Sequence, residues 1–202
     1  MGDTRLALRV NRDPIPGPPA DASSSTGKER DASLLKYQKR NLLAVLLDNI
    51  RSAWNVGSIL RSSDGFGFSH AYLCGISPTP DGPAREAVIK TSLGAEESVP
   101  WSYHKNAVKL VKGLKKEGWI LWALEEDARA RSISELTAPP GSQSCVLIVG
   151  NEVSGVDPEL LDLSDEIFHI PMQGEKRSFN VAMAFSIAAY QIHRSGVLER
   201  KI

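Results

Sequence analysis

No apolar run in this sequence exceeds six residues, as in Leu42 to Leu47, far short of the roughly 20 that a membrane-spanning helix needs. The N-terminus has no apolar signal core. Met1-Gly2-Asp3-Thr4-Arg5-Leu6 also lacks the Ser or Thr that a myristoylation signal wants at position six. A cytoplasmic protein is therefore expected. Cysteine is scarce: Cys74 and Cys145 stand 71 positions apart with no CxxC and no paired histidines nearby, which suggests neither a disulfide framework nor zinc spacing. Both read as small buried apolar residues. Net charge is absent too, with 24 Lys plus Arg against 24 Asp plus Glu, so the field of the whole molecule cannot hold a polyanion. Local basic clusters would have to. No three-glycine dinucleotide fingerprint, GxxxxGK[ST] phosphate loop or GxSxG nucleophile elbow occurs, and Gly65-Phe66-Gly67 is followed by His70 where a third glycine belongs.

What is present suits one globular core with an appendage. Length is 202 residues, 42% hydrophobic and 24% charged, close to the globular average. Residues 11 to 33 hold Pro14, Pro16, Pro18, Pro19, the run Ser23-Ser24-Ser25 and Gly27, with almost nothing to bury, so residues 1–35 are expected to form a loosely ordered arm. Lys36 to Arg40 form a basic cluster at its end. The folded domain is expected over 36–202.

From residue 41 short apolar runs alternate with helical patterns. Strands are predicted at 42–47, 71–74, 120–124, 145–149 and 167–170, and helices at about 56–64, 84–91, 104–117, 132–136, 158–163 and 180–195. Continuous apolar strands alternating with helices indicate an α/β fold with a mostly parallel sheet covered on both faces. The last helix places Val181, Phe185, Ala188 and Ile192 on one stripe, with small residues Ala182, Ala184, Ser186 and Ala189 beside it, which suits either core packing or an interface between subunits. Lys105, Lys109, Lys112 and Lys116, with Lys115, form a basic helical stripe that suits either phosphates or plain solvation.

Open parallel sheets bind ligands beyond the carboxyl ends of their strands, which directs attention to three loops. After the first strand, Asn55 is suited to cap the next helix, and the planar fork of Arg61 suits a phosphate or a surface ion pair. The fourth strand runs into Gly150-Asn151-Glu152-Val153-Ser154-Gly155, where two glycines permit a tight turn and close approach of a ligand. The fifth ends Ile170-Pro171-Met172 and leads to Arg177-Ser178-Phe179-Asn180-Val181, where Ser178 or Asn180 either caps the last helix or takes part in chemistry.

In order and spacing these segments resemble the three signature motifs of the SpoU, or TrmH, family of RNA ribose 2′-O-methyltransferases. Asn55 through Arg61 resembles the first, Gly150-Asn151-Glu152 through Ile170-Pro171-Met172 the second, and Ser178-Phe179-Asn180-Val181 the third. The resemblance covers about residues 40 to 195. It implies a C-terminal deep trefoil knot and homodimerisation. It also implies S-adenosylmethionine held at Gly150, Ile170, Met172 and Phe179, chiefly through backbone groups. Phe179 departs from the family's usual Leu, which affects the shape of the pocket. The position matching Arg61 is the one regarded as activating the 2′-hydroxyl; Asn55 supports it, and Glu152, Ser178 and Asn180 shape the site. Arginine stays protonated in proteins, so Arg61 is expected to clamp the adjacent RNA phosphate and orient the hydroxyl. The reaction needs no metal, and His70, His104, His169 and His193 are scattered. A tRNA is the favoured substrate. Ribosomal RNA, or a module that binds RNA or S-adenosylmethionine without catalysis, are the alternatives.

Overall fold

The computed structural model describes residues 42–138 and 143–196. The expected arm over 1–35 and the basic cluster Lys36 to Arg40 lie outside the described residues. Seven strands alternate with helices: β1 (Leu43–Asp48), α1 (Ala53–Phe66), β2 (His70–Cys74), α2 (Arg85–Ser92), α3 (Ala95–Ser98), β3 (Trp101–His104), α4 (Ala107–Lys116), β4 (Ile120–Leu124), β5 (Arg131–Ser132), a 3₁₀ turn (Ile133–Glu135), β6 (Cys145–Val149), α5 (Pro158–Leu163), β7 (Glu166–His169) and α6 (Val181–Arg194). They form one sheet in the order β3-β2-β1-β6-β4-β7-β5, with every neighbouring pair parallel.

The expected α/β class is what the chain adopts. All six residues of β1 and all five of β6 are buried, which is why both read as unbroken apolar runs. Side chains alternate between the faces: Leu43, Val45 and Leu47 pack with α1, α2 and α6, while Ala44 and Leu46 pack with α4 and α5. Cys74 and Cys145 are buried in this core, and burial pushes both thiols up to about 12, so they are inert. Among the described residues no helix is long and apolar enough to cross a membrane.

Several expected elements shift. The first helix begins at Ala53, and its N-cap is Ser52, whose Oγ accepts from the Asn55 N–H at 3.4 Å. Asn55 is therefore not the cap, and its side chain is released for other partners. The predicted 132–136 helix is a single 3₁₀ turn behind the two-residue β5. Strand β3, Trp-Ser-Tyr-His, carries no apolar run because it lies at the sheet's edge. The α6 stripe Phe185, Ala188 and Ile192 is core, which settles that stripe in favour of packing. On α4, Lys112 Nζ meets Glu159 at 2.7 Å and Lys115 Nζ meets Asp165 at 3.0 Å and the Leu163 carbonyl at 2.7 Å, so two of the five lysines fasten α5 instead of facing solvent alone.

Helix α1 crosses α2 closely at Gly57. A Cβ built there would fall inside the van der Waals radii of the Val88 carbonyl and Thr91 Oγ1. Gly57→Ala is expected to prise the helices apart at a cost of about 1–3 kcal/mol, read as a lower urea midpoint at unchanged m. An unchanged midpoint would contradict the close crossing.

Candidate active site

Because β1 and β6 are neighbours, with Leu43 to Leu47 against Cys145 to Val149, the segment after β1 lies beside the segment after β6. Buried Asp48 closes β1. Its carboxylate accepts from the Asp157 N–H at 3.2 Å and from Asn49 Nδ2 at 2.8 Å. Burial raises its pKa above the ordinary carboxylate value, and the negative charge of Asp157 adds to this against the two hydrogen bonds. Asn49 turns the chain through the left-handed region, with φ of 55°, a conformation its short amide tolerates. Asn151 Nδ2 then donates to the Asn49 carbonyl at 2.7 Å, while Asn151 Oδ1 accepts from the N–H groups of Val153 and Ser154 at 2.8 and 3.1 Å. One amide thus shapes its own turn and anchors it to the next.

Glu152 makes the second tie. Its Oε2 accepts from the Arg51 N–H at 2.8 Å, and its Oε1 from the Ser52 N–H at 3.0 Å and Asn55 Nδ2 at 2.8 Å. The carboxylate sits at the start of α1, where the helix dipole favours negative charge. Burial opposes the ionised form, yet the bonds from Arg51, Asn55, its own N–H and Ser52 outweigh it, and the pKa lies below the ordinary value.

A carboxylate only accepts, so Asn55 must turn its NH₂ to Glu152 and its carbonyl oxygen outwards. That oxygen accepts from Asn180 Nδ2 at 3.1 Å, and Asn180 Oδ1 accepts from the Ala182 N–H at 3.0 Å, which makes Asn180 the cap of α6. Asn180 therefore both caps and joins the cluster. Donation runs in one direction, Asn180 to Asn55 to Glu152, and links the openings of α1 and α6 to the loop after β6. The three motifs meet here.

Beside the cluster, over the carboxyl ends of β4, β6 and β7, lies a cleft of about 370 Å³, a size suited to a small organic ligand. Of the expected site residues, Gly150, Glu152, Ile170, Met172, Ser178, Phe179 and Asn180 line it. Gly150 approaches the Gly155–Val156 backbone so closely that a Cβ would overlap it, so only glycine lets the turn close on itself here. Apolar walls come from Leu124, Val149, Ile170, Met172 and Phe179, and the acids Glu125 and Glu126 stand at one side. Glu125 was not anticipated. Its Oε2 receives the Val156 N–H at 2.8 Å and braces the glycine turn. Asp48 and Glu125 gave no sequence signal beyond lying at or next to strand ends, and Asn151, although part of the second motif, gave none of its anchoring role. Arg61 does not line the cleft. It is exposed on α1, nearly two turns beyond Asn55, and among the described residues no side chain pairs with it.

Glu152→Gln replaces an acceptor at two oxygens by one acceptor and one donor, so the Arg51 or Ser52 N–H loses its partner. The folded-state pKa is lowered, so the stabilisation from the charge is complete above the unfolded value of 4.5 and is lost as pH falls through the folded value. The wild type is expected to unfold at higher denaturant than Glu152→Gln near neutral pH, with the gap closing in acid below 4.5. A gap independent of pH would contradict the charged clamp.

The family model described as "SpoU rRNA Methylase family" matches residues 42–190. The chain is 31% identical over 153 residues to the 23S rRNA (guanosine(2553)-2′-O)-methyltransferase RlmP of Bacillus subtilis, covering 73% of this chain and 56% of that protein. It is 31% identical over 154 residues to a tRNA (guanosine(18)-2′-O)-methyltransferase of Thermus thermophilus, covering 75% of this chain and 74% of that protein. Among solved structures, the SpoU methyltransferase AviRb of Streptomyces viridochromogenes in complex with the cofactor AdoMet superposes with a TM-score of 0.68 at 24% identity, covering 77% of this chain and 60% of that one. The match spans only 56% of the first relative's length, so the likeness concerns this domain. With the family model covering the whole of the described sheet and all three segments of the site, the chain belongs to the SpoU methylase family.

Proposed function

We propose that the chain transfers a methyl group from S-adenosylmethionine to a ribose 2′-hydroxyl of structured RNA, with tRNA as the favoured substrate. The observation that carries this reading is the directed relay Asn180–Asn55–Glu152 at the rim of the cleft, which gathers all three motifs at one point. The chain is equally identical, at 31%, to the tRNA-acting Thermus relative and to the rRNA-acting Bacillus one, so the choice of tRNA over rRNA is the part of the proposal that the labelling experiment below decides.

The cleft fits the cofactor chemically. Apolar Leu124, Val149, Ile170, Met172 and Phe179 suit an adenosyl group, the backbone at Gly150 offers hydrogen bonds, and Glu125 and Glu126 suit the positively charged groups of the cofactor, its sulfonium and its ammonium. When bound, S-adenosylmethionine supplies an electrophilic methyl group on a sulfonium. What remains for the protein is to hold the hydroxyl in line and to see its proton removed. Glu152 is a poor proton acceptor, because both its oxygens are engaged and its pKa is lowered, so we assign it to positioning Asn55. Arg61, exposed and unpaired among the described residues, is assigned to clamping the adjacent substrate phosphate and orienting the hydroxyl, whose proton passes to that phosphate or to a nearby group. Ser178, at the lip of the cleft, is assigned to the ribose.

The trefoil knot and the homodimer belong to the same reading. Support for the dimer comes from α6, where Met183, Ile187 and Tyr190 form an exposed apolar stripe at i, i+4 and i+7, with 57, 37 and 54% of their surfaces accessible. A cytoplasmic location belongs to the same reading.

Transfer of labelled methyl from S-adenosylmethionine to separated tRNA and rRNA fractions tests the proposal. Label is expected on a ribose 2′-oxygen of tRNA. Arg61→Ala should lower kcat/KM by about 100-fold or more, with Arg61→Lys in between because it keeps charge but loses the planar fork. Undiminished turnover in both variants would remove Arg61 from the mechanism, and label only on rRNA would overturn the tRNA assignment.

A further inference from the structure

Helix α1 is flanked by two helices. Gly57 packs against α2, and Ser62 Oγ bonds Ser186 Oγ of α6 at 2.8 Å. The outward stripe between these contacts carries Trp54, Ser58, Arg61 and Gly65, spaced at i, i+4, i+7 and i+11. Trp54 is 49% exposed, an unusual place for an indole in the first turn of a helix, next in sequence to Asn55 of the relay. It is nonetheless held. Its carbonyl accepts from Thr91 Oγ1 at 3.0 Å, and Lys90 Nζ lies over its ring, 5.1 Å from the centroid. Exposed Arg51 precedes it and exposed Arg61 follows two turns on, about 10 Å along the axis. The single acid of α1, Asp64, lies beyond Arg61 and accepts from Ser98 Oγ at 2.9 Å. A half-exposed indole with a lysine over one ring face and two exposed arginines on the same segment is an arrangement that takes an unpaired base with its phosphates.

We propose that Trp54 is a stacking platform for an unpaired base of the substrate RNA next to the reacting nucleotide, with Lys90, Arg51 and Arg61 meeting the adjoining phosphates. The inference rests on the RNA reading above and narrows it: the methyl acceptor lies in a single-stranded loop and not within a duplex. In a duplex the base faces are already stacked on one another, so the indole would find no partner. Proximity to Asn55 makes the platform a determinant of which nucleotide reaches the cleft.

The test uses the full chain and two fluorescein-labelled probes, a 12-nucleotide single-stranded RNA and the same strand annealed to its complement, at low salt. The wild type is expected to bind the single strand more tightly. Trp54→Ala is expected to weaken that binding by about 5- to 150-fold and Trp54→Phe to restore most of it, with S-adenosylmethionine affinity and the thermal midpoint preserved. Lys90→Ala should lower both the affinity and its salt dependence. Equal binding by wild type and Trp54→Ala, or a preference for the duplex, would overturn the proposal. A Trp54→Ala protein that changes its sedimentation coefficient and loses binding only for that reason would also overturn it, since Trp54 would then be a contact between copies of the chain. Trp54-dependent binding without methyl transfer would sink the methyltransferase reading alone. Methyl transfer with Trp54-independent binding would sink the platform alone.

Discussion

The pairing of β1 with β6 is the constraint on which the site depends. Residues 43–47 and 145–149 lie about a hundred positions apart in sequence, yet they run side by side at the centre of the sheet with both strands buried throughout. Each large apolar side chain buried there contributes about 1.5–3 kcal/mol, and a shift in register by one residue would exchange Leu43, Val45 and Leu47 with Ala44 and Leu46 between two close-packed layers of different shape. The register is therefore strongly specified, and with it the alignment of the two loops at the carboxyl ends. Asp48, Asn49, Asn151 and Asp157 convert that alignment into a network of hydrogen bonds.

Upon this base two different surfaces are built. One is a concave cleft with apolar walls, floored by the backbone at Gly150 and bounded by Ser178, Phe179 and Asn180. The other is convex: the outer stripe of α1, with Trp54 and Arg61. Glu152 joins them, because it belongs to the loop that lines the cleft and at the same time receives the first peptide groups of the α1 segment. A small ligand in the cleft and a polyanion along α1 would meet at Asn55. This division suits a reaction between a compact methyl donor and a large nucleic acid, since each partner finds a surface of its own shape and polarity.

The class of fold was legible because the central strands bury both faces and so appear as apolar runs; β1, β4 and β6 show this directly. Edge strands do not. Trp101–His104 has one neighbour and a mixed composition, and Arg131–Ser132 is two residues long. Assigning Asn55 as a helix cap failed because Ser52, one turn earlier, is an equally good cap, and local sequence cannot choose between them. The reading of Asn180 offered a cap or a chemical role, and the structure shows it capping α6 while also bonding Asn55. That Asn55, Glu152 and Asn180 converge was legible only through the family resemblance, since periodicity carries no information between residues about a hundred positions apart. Bracing residues such as Glu125 and Asp48 act through backbone N–H groups, and such contacts leave no pattern in sequence.

The central claim is that the methyl donor lies in the cleft over β4, β6 and β7, against the loop that Glu152 ties to α1. Titration of isotope-labelled protein with S-adenosylmethionine, followed through backbone amide shifts, tests it most directly. The account predicts saturable shifts concentrated at residues 149–156 and 169–181, with smaller ones at 51–55 relayed through Glu152. No binding, or shifts confined to the far face around α4 and α5, would contradict it.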